Sequence, residues 1–263
     1  MKKKIIIIHP YIGIGGAEKM IIFVANSLSN NYEVHLALLR DNQIELQLKE
    51  SIIVHKLGLN RAGAIKNMGL ITGINYIRKV IKKIRNLCKE INADAILAFE
   101  DRISLFTWLA TRNLPCAVLY SQRADPYNKS FLWKKITLGL YKSCDGVVFQ
   151  TEGAKNFYGL GHKRKVEVIP NPAINRETVK KNDKSKSINK KTIISAGRFQ
   201  YRKGFDLLIE AFSIVHKKFP DYKLVIFGDG VERIKLESLI DKYGLNDYVV
   251  LPGFVDDFIL SSK

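Results

Sequence analysis

Short apolar runs and amphipathic stretches alternate along most of the chain. Residues 5–8 are four consecutive isoleucines, and β-branched or aliphatic runs recur at 33–39, 52–57, 95–99, 117–121, 146–150 and 166–169. With 4–9 these read as strands. Several are apolar throughout, as strands buried on both faces of a parallel sheet must be. Between them lie stretches with apolar positions three and four apart, 17–29 and 76–90 among them, long enough for crossover helices. The alternation predicts a doubly wound α/β sheet.

The pattern breaks after Pro170-Asn171-Pro172. Residues 180–191, KKNDKSKSINKK, hold six lysines, one acid and one apolar residue, and predict a solvated basic linker. A second series follows: strand 192–196, helix 205–219, strand 223–227, helix 231–243 and strand 248–251. The predicted organisation is a domain over 1–175, a linker over 176–191 and a second domain over 192–263. A doubly wound sheet usually has about five or six strands, so the second domain reads as incomplete.

Composition narrows the class. The chain has 263 residues, 46% hydrophobic and 26% charged, which excludes a disordered or collagen-like chain. The isoleucine run ends at His9-Pro10, too short for a secretory signal, and a spanning helix is not predicted. The three cysteines, Cys88, Cys116 and Cys144, form no Cys-x-x-Cys pair, so neither a disulfide framework nor a zinc knuckle is expected and a reducing cytosol fits. Lysine and arginine number 43 against 25 acids, a net charge of +18. That surplus points to anionic partners: nucleic acid, acidic lipid or nucleotide phosphate.

Two glycine loops narrow it further. Strand 4–9 runs into His9-Pro10-Tyr11-Ile12-Gly13-Ile14-Gly15-Gly16-Ala17-Glu18 before a helix, where backbone N–H groups can meet a ligand. The dinucleotide fingerprint fails because Glu18 stands at its third glycine, where a carboxylate opposes pyrophosphate. Asp41 alone does not rescue an NAD site. The alternative is a tight turn in which Glu18 stabilises the helix dipole. The second loop, Gly197-Arg198-Phe199-Gln200-Tyr201-Arg202-Lys203-Gly204, links strand 192–196 to a helix. Arg198 and Lys203 then stand at the carboxyl edge of the sheet, beside a helix N-terminus, where they suit a diphosphate. With no Asp-x-Asp pair to chelate a divalent ion, no metal and no cofactor is expected.

Residues 197–212, followed by Leu224-Val225-Ile226-Phe227-Gly228-Asp229-Gly230 and Val249-Val250-Leu251-Pro252-Gly253-Phe254, resemble the donor domain of the family 4 (group 1) retaining glycosyltransferases of the GT-B fold. Gly15-Gly16-Ala17-Glu18 and Ser121-Gln122-Arg123-Ala124-Asp125-Pro126 also resemble that family. The resemblance implies two Rossmann-like domains and transfer of a sugar from a nucleotide-sugar, of UDP type, to a lipid-linked saccharide or polysaccharide. It implies that Arg198 and Lys203 neutralise the departing diphosphate. Gly197, Gly204, Gly228, Gly253 and Phe254 would contact the donor, and Gly15, Gly16, Glu18, Asp101, Arg123 and Asp125 would lie on the acceptor side. Retention by front-face attack, with the phosphate helping to deprotonate the acceptor, is implied too. The family's segment with two glutamates eight positions apart is not found, so a truncated, weakly active chain is expected. The alternative is a non-catalytic nucleotide-sugar-binding or scaffold remnant.

Other residues carry two readings each. Glu100 and Asp101, after strand 95–99, could touch acceptor hydroxyls or cap the next helix; Asp125-Pro126 suits a turn. His9 is structural or touches substrate; His35, His55, His162 and His216 are expected to be structural. In helix 76–90, Ile77, Ile81, Ile84 and Leu87 or Cys88 share a face, for the core or for a lipid surface, with Arg78, Lys79, Lys82, Lys83, Arg85 and Lys89 around it. Trp133-Lys134-Lys135, after Phe131-Leu132, is a second candidate lipid contact. Peripheral placement on the inner face of the plasma membrane follows. No nucleic-acid recognition motif accompanies the charge, and nucleic acid is not expected as a partner.

Overall fold

The isoleucine run forms β1 (Lys4–His9), and Ile6, Ile7 and Ile8 have no accessible surface. Side-chain alternation along the strand assigns them to opposite faces. Ile6 and Ile8 join one core cluster with Ala37, Val80 and Ile84, while Ile7 joins another with Ile21, Leu36 and Leu38. A computed structural model describes residues 2–13, 15–41, 44, 46–59, 69–160, 165–172 and 191–255. They fall into two compact units, 1–173 and 174–263.

In the first unit, β1 is followed by α1 (Gly16–Leu28), β2 (Glu33–Leu38), β3 (Ile53–Lys56), α2 (Leu70–Ile91), β4 (Ala95–Phe99), α3 (Asp101–Thr111), β5 (Ala117–Ser121), α4 (Phe131–Ser143), β6 (Gly146–Phe149), α5 (Glu152–Tyr158) and β7 (Lys165–Val168). The sheet is parallel throughout, in the order β3-β2-β1-β4-β5-β6-β7. Strand order reverses at β1, which pairs with β2 on one side and β4 on the other. The crevice beyond the carboxyl ends of β1 and β4 is therefore the topological switch point, where open α/β sheets take ligands.

Helix α2 starts six residues before the predicted 76. Val80, Ile84, Leu87 and Cys88 are buried in the core, with Ile77 and Ile81 packed against it. Its apolar stripe thus belongs to the sheet and is not available to a lipid surface, because the crossover needs that face to close the core.

His35 and His55 form a structural chain. A carboxylate only accepts, so His35 Nε2–H donates to Glu33 Oε1 at 3.0 Å; His35 Nδ1 then accepts from His55 Nε2–H at 2.9 Å. Burial pulls the His55 pKa below its ordinary 6.5, and the neighbouring His35 adds to that against an opposing contribution from Glu90. Below pH 6.5 an unfolded His55 takes up a proton that the folded ring resists, so this contribution is complete above 6.5 and fades as pH falls. His55→Gln is expected to flatten the fall in melting temperature below pH 6.5. An unchanged slope in a calorimetric pH series would contradict the assignment.

The second unit comprises β8 (Thr192–Ala196), α6 (Phe205–Lys218), β9 (Lys223–Phe227), α7 (Arg233–Lys242) and β10 (Val249–Gly253). Its parallel strands lie in the order β10-β9-β8, half of a doubly wound sheet. Phe199, Ile209, Leu224, Ile226 and Leu236 make one face the core. Full burial of Phe199 stabilises the unit by about 1.5–3 kcal/mol. Ile193 and Val250, exposed at 36% and 44%, lie outside that core. Of the predicted linker only Lys191 is described, and its Nζ meets Asp221 Oδ2 at 2.6 Å; the remainder, like His162, lies outside the described residues.

Candidate active site

In the first unit, the loop after β1 reaches α1 through Gly15, the N-cap. A Cβ on Gly15 would lie 2.3 Å from Glu18 Oε2, whereas Gly16 has open space around it. Glycine at 15 lets the Glu18 carboxylate fold back onto the start of α1, where it complements the positive end of the helix. This is the geometry of a turn in which Glu18 stabilises the helix dipole.

At the switch point stand His9 and Glu100. The His9 side chain is 2% exposed; its Nδ1 lies 2.6 Å from the Tyr11 carbonyl, and its Nε2 3.5 Å from Glu100 Oε1. A carbonyl only accepts, so Nδ1 carries the hydrogen and Nε2 is the nitrogen turned to Glu100. Glu100, 54% exposed at its side chain, has φ 75° and ψ 146°, a region in which glycine alone is at ease. Its carbonyl accepts from both the Ser104 amide, at 2.9 Å, and Ser104 Oγ, at 2.7 Å, which pins the residue in place.

Asp101 sits differently from its expected acceptor-side position. Its Oδ2 meets Lys129 Nζ at 2.6 Å and its Oδ1 accepts from Tyr141 OH at 3.3 Å. Lys129 Nζ, 9% exposed at its side chain, also donates to Tyr158 OH at 2.8 Å. Removing Asp101 would strand a nearly buried ammonium, so its carboxylate holds α3, α4 and α5 together. Asp125 likewise serves the turn: its carboxylate accepts from Tyr127 N at 3.0 Å and Asn128 Nδ2 at 2.9 Å. Of the two acids that follow β4, Asp101 is engaged by Lys129 and Tyr141, and Glu100 is the one beside His9.

Arg123 is held at the carboxyl edge. Its Nε donates to Ser121 Oγ at 2.9 Å, one Nη donates to Asn171 Oδ1 at 2.5 Å, and its guanidinium lies 5.2 Å from the Phe99 ring centroid. Gln150 Nε2 donates to the same Asn171 oxygen at 2.9 Å. Burial pulls the Arg123 pKa below its usual value. The sequence did not single out Gln150 or Asn171 for this; they follow β6 and β7, and only the pairing of β5, β6 and β7 brings them beside Arg123.

In the second unit, β8 leads into Gly197, whose amide donates to the Phe227 carbonyl at 2.9 Å. A 3-10 turn (Tyr201–Lys203) then ends at Gly204, whose φ of 65° lets one residue both close that turn and open α6. Arg198 and Lys203 are exposed on this segment, and neither side chain makes a hydrogen bond or ion pair with another described residue, although the Lys203 amide donates to the Gln200 carbonyl at 2.8 Å. Register brings two of the predicted glycines together, the Gly228 amide donating to the Gly253 carbonyl at 2.7 Å. Phe254, beyond β10, is 58% exposed. Arg233, which the sequence did not flag, braces this edge. It meets Asp229 Oδ1 at 2.9 Å and Glu237 Oε1 at 3.1 Å, donates to the Gly228 carbonyl at 3.3 Å and lies over the Phe199 ring. The Arg233 and Gly230 contacts hold the Asp229 carboxyl below its usual range.

Residues 177–262 match the family described as glycosyl transferases group 1. An uncharacterised glycosyltransferase of Haemophilus influenzae is 30% identical over 89% of this chain and 64% of its own length. A Campylobacter jejuni protein, named an N-acetylgalactosamine-N,N'-diacetylbacillosaminyl-diphospho-undecaprenol 4-alpha-N-acetylgalactosaminyltransferase, is 29% identical over 92% of this chain and 67% of its own. Among solved structures, Anabaena HepE in complex with UDP and glucose superposes with a TM-score of 0.70 at 17% identity, covering 96% of this chain and 70% of that one. A Rickettsia africae glycosyltransferase gives 0.73 at 20% identity, covering 98% and 70%. The chain thus spans somewhat less than two thirds of the Haemophilus relative. The family match marks residues 177–262 as a group 1 glycosyltransferase segment, and the architecture shared with the solved structures gives the chain a GT-B fold of two Rossmann-like units, the second a three-stranded sheet among the described residues.

Proposed function

We propose that the protein moves a sugar from a UDP-sugar to a lipid-linked saccharide or polysaccharide acceptor, with retention, in cell-surface polysaccharide assembly. The observation that carries this is the segment from Gly197 to Gly204, which holds two exposed cations ahead of α6. Two charge-assisted contacts and a helix N-terminus are what a leaving diphosphate needs, and they supply its counter-charge without a metal. The UDP and glucose in the HepE complex and the undecaprenol-linked acceptor in the Campylobacter name support the donor and acceptor classes. Isothermal titration with UDP, followed by a coupled assay for UDP released from UDP-sugars, tests the reading. UDP binding is expected; binding without turnover would favour the non-catalytic reading, and no binding would overturn both.

A lipid-linked acceptor calls for a membrane contact, and the first turn of α4 supports one. Phe131 and Leu132 are 72% and 66% exposed, and Tyr127 just before them 68%. Lys135 lies over the Phe131 ring at 4.5 Å and Arg102 near Trp133 at 5.9 Å. That first turn contains no acid, and lysines so close to a helix N-terminus oppose its dipole, an arrangement an external anion relieves. No helix among the described residues is long and apolar enough to cross a membrane, so the contact would be peripheral, on the cytoplasmic side where nucleotide-sugars are found. Replacing both Phe131 and Leu132 with Asp is expected to weaken co-sedimentation with phosphatidylglycerol vesicles at least about tenfold, since each apolar side chain withdrawn costs about 1.5–3 kcal/mol. Equal sedimentation of variant and parent would rule the surface out.

A further inference from the structure

We propose that His9 and Glu100 form a clamp for two neighbouring hydroxyl groups of the acceptor saccharide. The inference rests on the transferase reading and makes it specific, naming the side chains of the first unit that meet the acceptor.

Four observations converge on this pair. His9 and Glu100 end β1 and the β4 turn, the two sides of the switch point at which the sheet order reverses. The histidine is nearly inaccessible, and its Nδ1 is spent on the Tyr11 carbonyl, so the ring cannot turn and only Nε2 is directed at Glu100. At 3.5 Å, Nε2 and Oε1 stand too far apart for a good hydrogen bond to each other, which leaves each able to accept from a ligand donor beside it. Finally, Glu100 keeps a backbone conformation suited to glycine. Two Ser104 donors to its carbonyl hold it in that state. Strain of this kind persists where a side chain must be aimed.

The chemistry selects the ligand class. The Glu100 carboxylate is an acceptor, and so is Nε2 where the ring hydrogen is on Nδ1. A phosphate would repel the carboxylate, whereas two neighbouring hydroxyls of a sugar can donate one hydrogen to Glu100 and the other to Nε2. The side chain of Asp101, next in sequence, is occupied by Lys129 and Tyr141 and leaves Glu100 as the acid at this point.

The test separates fold, donor and acceptor. Saturation-transfer NMR on the whole chain would use the methyl glycosides of glucose, galactose and N-acetylgalactosamine as probes, with UDP binding measured in parallel by titration calorimetry. Saccharide signals from the parent are expected to fall at least severalfold in Glu100→Gln and His9→Gln, with UDP affinity unchanged because UDP is read by the second unit. Glu100→Gly should lose the same signals while melting at or above the parent temperature, since glycine relieves the positive φ. A residue kept only for structure would not pair a stability gain with a binding loss. Undiminished saccharide signals in Glu100→Gln and Glu100→Gly, or no saccharide binding by a parent chain that binds UDP, would overturn the clamp. Failure of the parent to bind UDP would instead count against the transferase reading.

Discussion

Gly228→Ala is expected to unfold the second unit and leave the first intact. Gly228 has φ 134°, and a Cβ there would lie 1.9 Å from the Gly197 carbonyl oxygen and 2.9 Å from its carbon. Those atoms are backbone, held by the Gly197 amide on the Phe227 carbonyl and by β8 pairing with β9 along its full length. Neither can yield without breaking the ladder. Positive φ alone costs a non-glycine residue about 1–3 kcal/mol, and the overlap raises the total to at least about 4 kcal/mol, at the severe end for a point substitution. That approaches the whole stability of a small folded unit, about 5–15 kcal/mol. Gly230 is constrained in the same way, its Cβ falling 2.4 Å from the Phe199 carbonyl oxygen. Amide NMR spectra should therefore lose the dispersed signals of β8, β9 and β10 while those of β1 to β7 persist. Gly16→Ala is the matched control: nothing lies within 4 Å of the added methyl, and it should be neutral or slightly stabilising. A Gly228→Ala protein with both sets of signals intact would show that the close approach of the two glycine turns is not required.

Replacing both Arg198 and Lys203 with Ala is expected to abolish measurable UDP binding without lowering the melting temperature. Each is exposed and without a described ion pair, so the fold loses little when it is truncated. A charge-assisted hydrogen bond to phosphate contributes about 1.5–3 kcal/mol, or about ten- to a hundredfold in affinity for each single variant. The salt dependence of UDP binding should weaken in parallel, because fewer cations face the diphosphate. Lys203→Arg should retain most of the affinity. Titration calorimetry at two salt concentrations decides the matter; equal affinities for parent and double variant would remove the cations from the donor site.

The α/β class and the strand positions were legible in the chain. Apolar runs such as 5–8 and 95–99 can be buried only on both faces of a sheet, and the pattern is local, so sequence alone carries it. Boundaries shifted where capping and tertiary contacts act: α2 begins at Leu70 and β10 runs to Gly253. The loop proposed to hold phosphate is local too, since residues 197–204 are contiguous between β8 and α6.

The setting of Glu100, Asp101 and Arg123 was not legible, because it is assembled from residues far apart in sequence. Whether Glu100 or Asp101 faces the crevice depends on the Lys129, Tyr141 and Tyr158 cluster that claims Asp101, about thirty to sixty residues downstream. The setting of Arg123 depends on Asn171 and Gln150, which only the β5, β6 and β7 pairing brings near. The positive φ of Glu100 has no sequence signature, since nothing in Phe-Glu-Asp marks it. By itself the sequence determined which segments are strands and helices, because periodicity sets them, and it placed Arg198 and Lys203 on one short segment ahead of a helix. Only the tertiary structure decided which acid stays available and which nitrogen of His9 turns to it, because those depend on hydrogen-bond partners that chain topology alone brings together.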